Sequence, residues 1–274
     1  MIIIYYILGI LAVIPAFLLL LLVYKKDKNG KEPRRILMQL IALGVVIVLP
    51  CVTAEVYGSI LTGLITYFAG SSATLQLIVK FIDNIFIVAL AEEGFKYLAL
   101  KLSTWNKKFF SFKYDGIVYA VFMGLGFAAL ENIVYVFQGG LSTAIARALT
   151  AIPGHCSFAI IMGTFYGSAK YYESIGQRSK EKACLRLAFI LPVFAHGLYD
   201  FIITLASEQE GSHTLLITAI LYIILLFTFS FIILFYQSKH DAQIVDNPDS
   251  HPLNKINQKG TYEQNKYYQP PMSI

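Results

Sequence analysis

Seven runs of about twenty apolar residues, separated by short polar connections, decide what this chain can fold into. Read with a window the length of a bilayer-crossing helix, they fall at residues 2–24, 36–57, 77–100, 116–137, 144–169, 187–206 and 214–237. Composition agrees: 57% of residues are hydrophobic and 14% charged, and the mean hydropathy is +0.62. Soluble domains lie nearer ~45–50% and ~25%. The expected fold is therefore all-α, a polytopic integral membrane protein of about seven transmembrane helices in the cell membrane. Residues 1–237 form one helical domain. Residues 238–274 are polar, rich in Asn, Gln, Tyr and Pro, and have the composition of a disordered cytoplasmic tail. The first run lacks a basic flank and is too long for a signal-peptide core, so it reads as a retained anchor. No internal repeat of the transporter kind is visible.

The basic residues orient the chain. Of the 22 Lys and Arg, six lie between residues 25 and 35, four between 101 and 113, five between 170 and 186, and four from 239 to 266. The alternate connections ("GSILTGLITYFAGSSAT", "QGGLST", "SEQEGSH") contain none. This bias places the N-terminus outside and the C-terminus in the cytoplasm. Topology and lipid headgroups then account for the formal charge of +5, and no nucleic-acid partner is needed. Cys51, Cys156 and Cys184 show no paired spacing and argue against a disulfide framework.

Inside the runs stand Lys80, Asp83, Glu92, Glu93, Lys96, Glu131, Arg147, His155, His196 and Asp200. A carboxylate near mid-bilayer costs about 2.5–3.5 kcal/mol on insertion scales. Glu92, Glu93, Glu131 and Asp200 together would cost on the order of 10 kcal/mol if unpaired, which rivals the net stability of a domain. They must be paired, protonated or turned toward water inside the bundle. In "FIVALAEEGFKYLAL" one helical turn brings Lys96 to both Glu92 and Glu93. In "GLGFAALENIVY" two glycines precede Glu131 and Asn132 and admit a neighbouring helix. His155 follows Pro153, and His196 and Asp200 share a helix face one turn after Pro192. Lys80 and Asp83 read as an interfacial pair, and Glu55 as a rim residue. Arg147 either snorkels to the surface or neutralises Glu131.

Glutamates and histidines converging in a protected cavity suit activation of water. Burial, a like-charged neighbour and an ammonium all act on Glu92, the influences by which proteins tune a general base. His155, His196 or Asn132 could polarise a carbonyl. Two histidines and a carboxylate also make a catalytic zinc set, with Glu92, His155 and His196 as candidate ligands, although no H-E-x-x-H is present. The residues leave the metal-dependent and metal-free mechanisms both open. On naive span limits, Glu92 and Glu131 differ in depth by roughly 13 Å. A late start of the third span, with residues 71–81 in the interface, would close that gap.

These motifs resemble the PrsW family of intramembrane proteases, distantly related to the CAAX-prenyl-protease and bacteriocin-processing group. The resemblance runs over residues 1–237: "DKNGKEP", then Glu92-Glu93-x-x-Lys96, then "GFAALEN", then His155, then "HGLYD". The chain departs from the broader CAAX group in the basic residue of the first motif, and Glu131 stands where that group has histidine. The resemblance implies a membrane-embedded peptidase making the site-one cut in a single-pass anti-sigma factor under envelope stress. Its implied catalytic residues are Glu92, Glu93, His155 and His196, supported by Lys96, Glu131, Asn132 and Asp200. The same cluster could instead line the pathway of a transporter or proton-coupled channel. A haem-binding sensor with His155 and His196 as axial ligands and a lipid hydrolase are further alternatives.

Overall fold

The structure, a computed structural model, describes residues 2–244 except Ser71 and Glu210; the expected tail from residue 245 onward lies outside the described residues. It is built of helices: α1 (Ile2–Lys26), α2 (Arg34–Ala69), α3 (Ala73–Ile82), a π-helical turn (Asp83–Ala89), α4 (Leu90–Thr104), α5 (Asp115–Leu149), α6 (Ala151–Ser174), α7 (Arg178–Glu208) and α8 (His213–Lys239). Among the described residues, β pairing amounts to one isolated bridge, Phe112 with Gln243.

Among the described residues, six stretches are long and apolar enough to cross a membrane. One of them, Asp115–Ser174, is 60 residues long and holds both α5 and α6, so two of the expected runs are continuous by length and composition. The third expected run becomes α3, the π turn and α4 in series.

α5 and α6 form the centre. Every residue from Asp115 to Ala128 is buried, as an all-round apolar helix must be when other helices surround it. α1 and α2 pack on α5, α7 packs on α6 and on the π turn, and α8 closes against α6 and α7. The outer helices turn Phe17, Leu18, Leu49, Phe68, Leu102 and Leu225 outward, a surface for lipid. Of the two glycines before Glu131, Gly126 meets α2, where a Cβ would lie 2.4 Å from the Ile41 carbonyl oxygen. Gly124 faces Ala159 of α6 on the other side.

The prolines behave differently from one another. Pro153 sits in the first turn of α6, just past the break at Thr150, where its missing N–H removes no hydrogen bond. Pro192 lies in the interior of α7, which runs unbroken through it. Packed membrane helices tolerate such a residue because neighbours satisfy the freed backbone.

Candidate active site

The π turn Asp83–Ala89 leads directly into α4, whose first turn carries Glu92 and Glu93. A π turn shifts the phase of everything after it, and such insertions gather at functional sites. Lys96 Nζ donates to Glu92 Oε2 at 2.9 Å and to Glu93 Oε1 at 2.8 Å. All three side chains are buried. The ammonium also lies 3.9 Å from the centre of the Phe127 ring, so an aromatic face from α5 closes the fourth side.

α6 and α7 bring the histidines. His155 Nδ1 lies 3.4 Å from Lys96 Nζ, and its Nε2 lies 2.8 Å from Glu131 Oε2. An ammonium only donates, so Nδ1 is the acceptor and Nε2–H donates to Glu131. His196 stands between two carboxylates, with Nδ1 3.1 Å from Glu93 Oε1 and Nε2 3.1 Å from Asp200 Oδ2. Phe158 stacks on the His196 ring at 4.5 Å, and the two imidazoles lie edge to face at 5.2 Å. Gly197 makes this approach possible. A Cβ there would fall 2.7 Å from the Cα of Ile85 and 3.0 Å from the carbonyl oxygen of Asn84. The bare backbone lets α7 lie on the π turn, and His196 reaches Glu93 one residue away.

Glu131 is tied to the cluster through His155, and Arg147 Nη2 reaches its other oxygen at 3.1 Å. Of the two expectations for Arg147, neutralisation therefore holds. Asn132 departs from its expected role as a carbonyl-polarising donor. Its Nδ2 donates to the Ala12 carbonyl of α1 at 2.7 Å, and its Oδ1 accepts from Arg147 Nε at 2.7 Å. Both ends of the amide are engaged away from the cavity, so Asn132 positions Arg147. Lys80 and Asp83 do not pair with each other. Lys80 pairs with Glu208 of α7, and Asp83 accepts from Thr62 of α2 at 2.8 Å, so each is taken by a partner on another helix.

A cavity of about 640 Å³ opens over the cluster between α2, α4, α5, α6 and α7. Glu92, Glu131, His155, His196 and Asp200 line it, together with Glu55, Arg147, Phe127 and Phe158. Glu93, Lys96 and Asn132 are not among the lining residues. Glu92 is thus the carboxylate of the pair that can meet a substrate, and Glu93 works from behind it. Phe158 escaped sequence reasoning, although it lies one helical turn after His155. Glu55 proves to be a wall of the cavity.

Residues 32–233 match the model of the PrsW family intramembrane metalloprotease. The chain belongs to the PrsW family. It is 35% identical over 216 residues to the "Protease PrsW" of Oceanobacillus iheyensis, covering 78% of this chain and 90% of that protein. The "Protease PrsW" of Geobacillus kaustophilus is 34% identical (73% and 80% covered), and that of Bacillus subtilis 33% identical (71% and 81% covered). No solved structure matches. This PrsW-family chain is accordingly a peptidase of the cell membrane, multi-pass, acting on membrane proteins within the bilayer.

The family description implies a metal, and the side chains present fit one. One ligand atom from each of Glu92, Glu93, His155 and His196 lies within 4.8 Å of the others. Imidazole and carboxylate together suit zinc. Each imidazole has its outer nitrogen on a carboxylate, Glu131 or Asp200, as metal-ligating histidines do. Lys96 Nζ draws on the same donors, so an ammonium and a metal ion would compete for one place.

Proposed function

We propose that this protease makes the first, site-one cut in a single-pass membrane protein of the anti-sigma-factor class, using water activated by Glu92. The observation that carries this reading is the joint exposure of Glu92, His155 and His196 to one cavity, with Glu93 and Lys96 directly behind them. A peptide bond in that cavity meets Glu92, a carboxylate to take the proton of a water molecule, with the two imidazoles held beside it by their carboxylate partners.

Each neighbour then has a task. Lys96 holds Glu92 and Glu93 in register and balances part of their charge. Glu131 fixes the tautomer of His155 from the far side, and Arg147 fixes Glu131. Glu93 and Asp200 clamp His196 from opposite nitrogens, so the ring presents its face and edge to the cavity without turning. Glu92, Glu93, His155 and His196 would hold a zinc-type ion. When bound, it supplies an acidified water and a Lewis acid for the carbonyl.

The test is cleavage of a tagged single-pass anti-sigma factor co-expressed with wild type, Glu92→Gln or His196→Ala. Cleavage by wild type and a loss of about 10²–10⁴-fold in either variant, with membrane insertion unchanged, is expected. Full activity of both variants would overturn the assignment. A well-folded wild type that cuts no such partner would overturn the substrate class.

A further inference from the structure

Four carboxylates line the cavity over the cluster: Glu55 from α2, Glu92 from α4, Glu131 from α5 and Asp200 from α7. Three of them are engaged. Glu92 accepts from Lys96 Nζ at 2.9 Å, and Asp200 Oδ2 lies 3.1 Å from His196 Nε2. Glu131 holds His155 at 2.8 Å and Arg147 at 3.1 Å. Glu55 is half-buried and, among the described residues, has no hydrogen-bond or ion-pair partner.

The backbone on either side of Glu55 fixes where it stands. One helical turn earlier, Cys51 Sγ lies 3.8 Å from the carbonyl oxygen of Ala91, the residue next to Glu92. Three residues later, Gly58 lies against the π turn, where a Cβ would fall 2.3 Å from Cγ2 of Ile87. α2 therefore runs antiparallel along the π turn and the head of α4, and Glu55 sits between these two contacts. Val48, Val52 and Glu55, spaced four and three apart, make one face of α2 toward the cavity. The carboxylate is the polar group of that otherwise apolar face, and it ties no helix to another. The fixed cation on the cavity wall, Arg147, is spent on Glu131, on Asn132 and on the Tyr135 ring at 4.1 Å. A carboxylate only accepts, so what Glu55 takes must come from a molecule entering the cavity.

We propose that Glu55 is a specificity-determining residue, which receives a lysine or arginine side chain of the substrate close to the scissile bond. The inference rests on the reading that the peptide is cut in this cavity. At about 640 Å³ the cavity is of the size that encloses a small ligand, so a substrate segment lying on Glu92 also reaches Glu55. An ammonium or guanidinium gives the carboxylate charge-assisted hydrogen bonds, and the long stems of Lys and Arg carry the cation in from an apolar segment. A neutral side chain leaves Glu55 unpaired and an acidic one is repelled, so the residue selects as much by rejection as by attraction. The competing occupant is a proton, which makes Glu55 neutral and indifferent to the charge of the substrate.

The experiment offers the full-length chain in detergent a panel of synthetic single-pass peptides. Each has one apolar run of about twenty residues with polar flanks, along which a lone Lys, Gln or Glu is walked position by position. Cleavage sites are mapped by mass spectrometry, and kcat and KM are measured separately. Wild type should cut Lys peptides at one fixed offset from the lysine, with kcat/KM about 10–100-fold above the matched Gln peptides, mostly through KM. Glu55→Gln should cut Lys and Gln peptides alike, the loss on Lys peptides appearing in KM, and Glu55→Lys should favour Glu peptides. Binding to the Glu92→Gln protein, read by fluorescence anisotropy, gives a second readout whether or not a peptide is cut. It should show the same preference and lose it in Glu55→Gln/Glu92→Gln. Lys, Gln and Glu peptides bound and cut alike would overturn the proposal. So would a Glu55→Gln protein whose kcat falls equally on every peptide, which places the carboxyl in the chemistry instead. Glu92→Gln keeps the two readings apart. If it cuts as fast as wild type, the reading of the site itself fails; if it is inactive and wild type shows no preference, Glu55 alone is misassigned.

Discussion

Replacing Lys96 by methionine tests whether the membrane cluster is held by charge compensation. Lys96 is 4% exposed, and its ammonium donates to two carboxylates at 2.8 and 2.9 Å. Methionine keeps the stem and its packing on Phe127 but leaves Glu92 and Glu93 facing each other without a cation. Removing one partner of a buried ion pair costs about 3–5 kcal/mol, because the charge left behind is uncompensated. For a chain of this size that lowers the unfolding midpoint by roughly 6–20 °C. Melting of the detergent-solubilised protein, followed by intrinsic fluorescence or circular dichroism, measures it. The decisive control is Glu93→Gln/Lys96→Met, which removes one negative charge together with the positive one. The double variant should exceed the additive expectation by at least ~1 kcal/mol, the coupling of groups in direct contact. Zinc should also raise the midpoint of Lys96→Met more than that of wild type, since the ammonium no longer contests the four donors. A Lys96→Met protein as stable as wild type, or a double variant showing simple additivity, would refute the reasoning.

Two further substitutions probe positioning. Glu131→Gln and Asp200→Asn keep a hydrogen-bond acceptor beside His155 and His196 but remove its charge. Each should lower cleavage by about 10–100-fold, less than the loss in Glu92→Gln, with the pH profile shifted. Gly197→Val drives a side chain into Ile85 and Asn84 and lifts α7 from the π turn. It should cost about 1–3 kcal/mol of stability and around 10²-fold in activity, read as a fall in kcat larger than the fall in midpoint alone explains.

The sequence showed where the chemistry would gather more clearly than how it would be wired. Apolar run length reveals helices because a membrane offers the backbone no other partner, so α1 and α8 fall close to their expected limits, whereas α2 runs on to Ala69 and α7 begins already at Arg178. Glu92, Glu93 and Lys96 were legible because a single turn of helix fixes their contacts. Contacts between helices were not. That Asn132 faces α1 rather than the cavity depends on the rotation of α5. The parting of Lys80 from Asp83 depends on partners from α7 and α2 that hydropathy does not reveal. Glu131 illustrates both sides. Its depth on naive limits kept it far from Glu92, and the structure joins it to the cluster through His155 rather than through Glu92 itself.

The distribution of charge explains why this arrangement suits hydrolysis. Among the groups in direct contact, Glu92, Glu93, Glu131 and Asp200 are four carboxylates against two permanent positive charges, Lys96 and Arg147, and Glu55 adds a further carboxylate at the cavity wall. His155 and His196 are the remaining groups able to carry charge, and each already touches a carboxylate. Beyond the two fixed cations, the groups of the cluster are imidazoles and carboxyls, side chains able to take up and release a proton. Cutting a peptide bond requires that a proton leave the attacking water and that another reach the departing amine. A site whose own charge balance depends on mobile protons can accept the first and return the second without creating a net charge inside the bilayer. Two additional fixed lysines would have balanced the same carboxylates and left nothing to move.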